Sequence, residues 1–200
     1  MFIDSTAGAD TLALFTQYAT GVGAQVQVAD SLEAAVRAIG ALRQGALTCT
    51  AAVRDTYPQL YAALGGPGGP VRVAEDVAAE SANSTALAAA LAGGTGLILA
   101  TAGVAETGSL LLTDSALAPR LLGMLADYCI ALLDAGAILP DLDAAGELLA
   151  RLEREGHRYQ SLVTGPSRTA DIERVLTIGV QGPKTLSIIV VRASATGEEG

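Results

Sequence analysis

Tyr128-Cys129-Ile130-Ala131-Leu132-Leu133 and Leu186-Ser187-Ile188-Ile189-Val190-Val191 decide the fold. Each run is short, bounded by polar or turn residues, and apolar at both odd and even positions. A strand with one face in water alternates apolar and polar side chains, and these two do not. They read as strands buried on both faces, the condition of a parallel sheet covered by helices on each side. Working outward, residues 25–29, 46–50, 97–100, 109–113 and 159–163 are shorter runs that read as further strands. Between them lie helical patterns. Asp30-Ser31 caps a helix over 32–43, with Glu33 in its first turn. Residues 141–155, after Pro140, place Leu142, Leu148, Leu149 and Leu152 near one face. A short helix is expected over 170–178. Strands alternating with helices define an α/β chain with a mostly parallel sheet flanked by helices.

The 200 residues are 50% hydrophobic and only 4% aromatic, with no Trp, so the core is built from Ala, Val, Leu and Ile. That length suits one domain, 1–200, able to bury its core without disulfide or metal staples. Leu64-Gly65-Gly66-Pro67-Gly68-Gly69-Pro70 is the one clear break and reads as a loop within that domain; the tail 196–200 is expected to fray. The net charge of −9, with eleven Arg and a single lysine, Lys184, leaves no basic stripe and argues against nucleic acid. Cys49 and Cys129 are too few for an iron–sulfur cluster and read as reduced core thiols. His157, the only histidine, cannot assemble a histidine zinc site and sits in a charged helix end. No cofactor site is expected. Met1-Phe2-Ile3-Asp4 does not resemble a signal peptide. The uncharged stretch between Glu80 and Glu106 reads as a helix, a glycine turn and a buried strand rather than a membrane span, so a soluble, cytoplasmic protein is expected.

Three stretches carry candidate chemistry. Thr164-Gly165-Pro166-Ser167-Arg168-Thr169-Ala170-Asp171-Ile172-Glu173 leads from a strand into the expected helix. The hydroxyls of Thr164, Ser167 and Thr169, the Arg168 guanidinium and the free N–H groups of a helix start together suit a phosphate or carboxylate. The same residues also suit a simple helix cap, with Asp171 or Glu173 answering the dipole. Gly103-Val104-Ala105-Glu106-Thr107-Gly108-Ser109 sets a carboxylate between apolar strands, which would raise its pKa and fit it to act as base or nucleophile. Alternatively it is a hairpin turn with an exposed Glu106 and Gly108 at the bend. Gly179-Val180-Gln181-Gly182-Pro183-Lys184-Thr185 is not a phosphate-binding P-loop, because Pro183 separates Gly182 from Lys184 and a strand follows. Lys184 either faces an anion or is a solvated strand-edge lysine.

In order and spacing these three stretches resemble the signature of the LUD domain family, which includes lactate-utilisation protein C. The resemblance spans about residues 95–192. One position departs from it: Gln181 stands where the family pattern carries a histidine, and an amide can hydrogen-bond but not exchange a proton. The resemblance implies a fold like that of phosphosugar isomerases and CoA transferases. It also implies an accessory role in oxidising L-lactate to pyruvate, beside separate iron–sulfur proteins. The ligand site expected is one pocket for a small anion at the carboxyl edge of the sheet, lined by Glu106, Thr107, Gly108, Thr164, Gly165, Ser167, Arg168, Thr169, Asp171, Gln181 and Lys184. An alternative from a different class is an enzyme acting on a phosphorylated or acyl-CoA ligand, with Glu106 as nucleophile or base; Glu106-Thr107-Gly108 is similar to the Glu-x-Gly of CoA transferases.

Overall fold

The two long apolar runs lie side by side: Leu186 is level with Cys129 and Val190 with Leu133 in a parallel pair. The computed structural model describes residues 5–169, 177–178 and 182–192. In chain order its first half comprises Ser5–Gly21 (α1), Gln25–Ala29 (β1), Leu32–Leu42 (α2), Leu47–Cys49 (β2), Ala51–Thr56 (α3), Pro58–Ala63 (α4), Arg72–Val73 (β3), Ala74–Glu80 (α5), Ser84–Leu91 (α6) and Thr95–Leu99 (β4). There follow Ala102–Val104 (β5), Ser109–Leu112 (β6), Leu117–Leu125 (α7), Tyr128–Asp134 (β7), Ile138–Leu139 (β8), Leu142–Arg154 (α8), Ser161–Val163 (β9), Arg168–Thr169 (β10), Thr177–Ile178 (β11) and Thr185–Val191 (β12).

Six strands form one sheet in the order β1-β12-β7-β4-β2-β3, every neighbouring pair parallel. Its helices cover both faces, which is why the central strands are apolar throughout. Along β12, Leu186, Ile188 and Val190 enter one core with Phe15 of α1 and Leu122 of α7. Ile189 and Val191 point the other way, into a second core with Ile39 of α2, Val53 of α3 and Leu60 of α4. The side-chain period of two in a strand thus divides one continuous apolar run between two cores. Ser187, the polar member of that run, donates to Gln25 Oε1 of β1 at 3.4 Å.

The expected helix over 32–43 is α2. Ser31 Oγ accepts from Ala34 N at 3.2 Å, and Ala35 and Ile39 are the buried positions. The 64–70 run is a set of turns between α4 and β3, and Leu60 before it shares a core with Val71 and Val73 after it. The uncharged stretch is α6, a Gly93-Gly94 turn and β4, as expected. Among the described residues no helix is long and apolar enough to cross a membrane.

The structure departs from the sequence reading in three places. The runs at 109–113 and 159–163 belong to a second sheet, β8-β5-β6-β9, in which β5–β6 and β6–β9 are antiparallel. Helix α8 packs on that sheet: Leu148, Leu149 and Leu152 join Ala102 and Leu111, whereas Leu142, at its first position, is exposed. Finally, the helix expected over 170–178 does not reach Ile178. Thr177 and Ile178 are strand, paired antiparallel with Thr169 and Arg168, and residues 170–176 lie outside the described residues.

Candidate functional site

The end of α1 and the connection into β1 form a platform for the first two candidate stretches, and the third packs against the second. The β5–β6 turn arrives first. Ala105 N donates to Leu139 O at 2.8 Å, Glu106 N to Pro140 O at 3.1 Å and Gly108 N to Val104 O at 2.9 Å. Gly108 has φ of +65°, and a Cβ there would fall on the backbone of Tyr18 and Ala19. Only glycine allows this turn to lie on α1. The loop after β9 arrives second. A Cβ on Gly165 would meet the Val22 carbonyl, and the Arg168 guanidinium lies where a Cβ of Gly23 would stand. The connection into β12 closes the group, with Ser167 N donating to Pro183 O at 3.1 Å.

A chain of hydroxyls ties the first two stretches together. Thr107 Oγ1 lies 2.7 Å from Ser109 Oγ, and Ser109 Oγ lies 2.7 Å from Thr164 Oγ1. Ser109 is buried at 3% exposure while Thr164 is exposed, so the chain runs from the interior to the surface. Sequence reasoning quoted Ser109 but gave it no role. Its one signal was a hydroxyl opening an otherwise apolar strand.

Several expectations about the site need correction. The cluster was expected at the carboxyl edge of the parallel sheet. It lies at the amino edge, against the connections entering β1 and β12. The reason is that the loop after β9 leaves the second sheet, whose antiparallel pairs are not governed by the crossover geometry of parallel strands. Glu106 is exposed rather than enclosed by its flanking strands. Its Oε2 accepts from Leu142 N at 2.9 Å, so it caps α8 together with Asp141, whose Oδ1 accepts from Ala144 N at 2.8 Å. Arg168 is exposed, and among the described residues no ion pair joins it to Glu106. No helix starts at Ser167, because residues 168 and 169 are strand; residues 170–176, where a helix capped by Thr169 would begin, lie outside the described residues.

Lys184 pairs with Asp127, Nζ to Oδ1 at 2.9 Å, and this hydrogen bond holds its ammonium above the ordinary lysine range. The partner is a carboxylate just before β7, and both side chains are largely exposed. Asp171 and Gln181 lie outside the described residues.

Cys49 and Cys129 occupy opposite faces of the six-stranded sheet, one in each core, and cannot share a metal ion. Burial pushes each thiol up to about 12. Among the described residues no three His, Cys, Asp or Glu side chains are grouped to hold a metal.

A six-stranded parallel sheet covered by helices, with a second, mixed four-stranded sheet, defines an α/β protein, and comparison with known proteins gives its family. The chain belongs to the LUD domain family, whose model matches residues 12–191. It is 29% identical over 164 residues to lactate utilization protein C of Anoxybacillus flavithermus, covering 72% of each chain. It is 32% identical over 99 residues to the uncharacterized protein YkgG of Escherichia coli, spanning 48% of this chain and 43% of that one. Its match to lactate utilization protein C 1 of Bacillus mycoides is 33% identical over 91 residues and spans 39% of that protein. The chain therefore spans under half the length of two of these relatives. The crystal structure of a duf162 family protein from Deinococcus radiodurans shares the fold, with a TM-score of 0.61 at 21% identity, covering 92% of this chain and 98% of that one.

Proposed function

We propose that this protein is an accessory component of an L-lactate-utilisation system, acting with separate iron–sulfur proteins and binding a small anion where its three candidate stretches meet. The observation that carries the role is family membership together with relatives that bear the name lactate utilization protein C. Two thiols on opposite faces of a sheet supply too few ligands for a cluster, which usually takes four thiolates, so electron transfer falls to partners. The anion reading is supported by an exposed Arg168, lying at Gly23, on the same loop as Thr164, which ends the Thr164–Ser109–Thr107 hydroxyl chain. A guanidinium offers paired donors to a carboxylate or phosphate, and hydroxyls can complete its shell.

Two experiments test this reading. Affinity purification from the native host should recover iron–sulfur proteins, and deletion should impair growth on L-lactate. Recovery of none, with unimpaired growth, rejects the role. For the anion, lactate and inorganic phosphate are titrated against the parent and Arg168→Ala while thermal unfolding is followed. Loss of the guanidinium should weaken anion binding by about 1.5–3 kcal/mol, the size of hydrogen bonds to charged groups. A parent whose melting temperature ignores both anions rejects the site. Acyl transfer by Glu106 has one observation in its favour, an exposed carboxylate whose cap bond to Leu142 N is made through Oε2. Hydroxylamine trapping with acetyl-CoA, read by mass spectrometry at Glu106, tests it.

A further inference from the structure

A groove of about 410 Å3 lies between α7 and the segment entering β9, away from the junction of the three stretches. It sits toward the Leu112–Ser161 end of the β6–β9 pair, whereas Ser109 and Thr164 meet at the other end. Its volume is in the range of small-molecule pockets. Leu117, Leu121, Met124 and Val163 line it. Among the described residues eight large apolar side chains are exposed, and three of them, Leu117, Met124 and Tyr159, converge on this groove. Scattered exposed apolar residues need no explanation, but a group around one hollow marks a contact surface.

The polar part of the lining is cationic. Arg120 and Arg158 both face the groove. The Arg120 guanidinium lies over the Tyr159 ring, 3.9 Å from its centroid. Stacking occupies the flat face of the guanidinium and leaves its in-plane N–H donors available. Among the described residues neither arginine forms an ion pair with a carboxylate, in a chain of net charge −9. Asp114 is the acid in the lining; burial, with the Glu75 charge second, raises its pKa, and the Arg120 charge works against them. The wall that carries Arg158 and Tyr159 is held in place by Gln160, whose Nε2 donates to His157 O at 2.8 Å and Leu149 O at 3.3 Å.

We propose that this groove binds a small amphipathic monocarboxylate, its apolar chain along Leu117, Leu121, Met124 and Val163 and its carboxylate on Arg120 and Arg158. An alcohol of the same length fills the apolar wall but leaves the two guanidinium groups unanswered. An alkylammonium places like charge against them. A short hydroxy acid answers the charge but leaves the apolar wall wet. The site is independent of the anion site proposed above and stands if that one fails.

The sequence contains two methionines, Met1 and Met124, so methyl-13C methionine labelling gives an internal reporter on the groove wall. Met124→Leu assigns its resonance. Octanoate added to the full chain should move the Met124 methyl signal saturably and leave Met1 in place. Octan-1-ol should bind about tenfold more weakly, and octylammonium should give no saturable shift. Arg158→Ala removes an exposed side chain and should weaken octanoate about tenfold with an unchanged circular dichroism spectrum; Arg120→Ala should do the same, with added loosening of the Tyr159 wall. A Met124 signal that octanoate does not move overturns the proposal. So does equal binding of octylammonium, or parent-like affinity in both arginine variants. A shift produced by phosphatidylglycerol vesicles and not by free octanoate also overturns it, in favour of a lipid surface.

Discussion

Gly108 holds the β5–β6 turn against α1 through both its backbone and its missing side chain. With φ of +65° and no room for a Cβ beside Tyr18 and Ala19, Gly108→Ala combines left-handed strain with overpacking. Each costs about 1–3 kcal/mol, so urea unfolding should show a loss of roughly 2–6 kcal/mol. A variant as stable as the parent would mean that the turn does not rest on α1. The two thiols give a second prediction. Cys49 and Cys129 are pushed up to about 12 by burial, against an unfolded value near 9.0. Both stay protonated in the native chain while the unfolded chain ionises. Their contribution is therefore complete below about pH 8 and declines between about pH 9 and 12, by roughly 1.4 kcal/mol per pH unit for each thiol. Stability measured at pH 8 and 10 should fall less steeply in Cys129→Ala than in the parent. Native protein at pH 8 should also resist iodoacetamide and react only when unfolded.

Helix α8 begins with two caps from different parts of the chain, Asp141 beside it and Glu106 from the β5–β6 turn. Glu106→Ala should cost about 1 kcal/mol, a usual value for a lost N-cap, whereas Glu106→Gln keeps an acceptor oxygen and should recover most of it. Equal loss in both variants would show that the cap bond contributes nothing. This level of structure was partly legible in the sequence. The apolar runs of β7 and β12, the Ser31 cap of α2 and the leucine face of α8 follow from period and capping chemistry. Helices α1, α3, α4, α5 and α7 were not read. In α7 Pro119 and Gly123 disguise the pattern, and α3, α4 and α5 are six or seven residues long, too short for a period to show. The second sheet was missed because β5 is buried along its whole length and β6 along most of it, which removes the alternation that would mark a sheet edge or face. At the site, residue types were readable but their place was not. The loop after β9 follows its own sheet, and nothing local to Thr164–Arg168 says which sheet that is.

The six-stranded sheet as a whole depends on β12. It lies between β1 and β7, and among the described residues β1 has no other strand neighbour. Strands far apart in sequence thus meet only through it, with Gln25 level with Ser187. A chain ending at residue 184 should lose β1 from the sheet and uncover Leu133, Ala131 and Cys129 in the first core. Its thermal transition should broaden and lose cooperativity, and it should bind the dye ANS, as a collapsed state with exposed apolar surface does. A sharp melt with no dye binding would show that β12 is dispensable.

The same strand order sets a task during synthesis. Of the described strands, β1 is the first to leave the ribosome and β12 the last. At about 5–20 residues per second, the partner of β1 emerges roughly ten to thirty seconds after it. Through that interval the nascent chain carries Gln25–Ala29 as an unmatched ribbon, open to pairing with neighbouring chains on the same message.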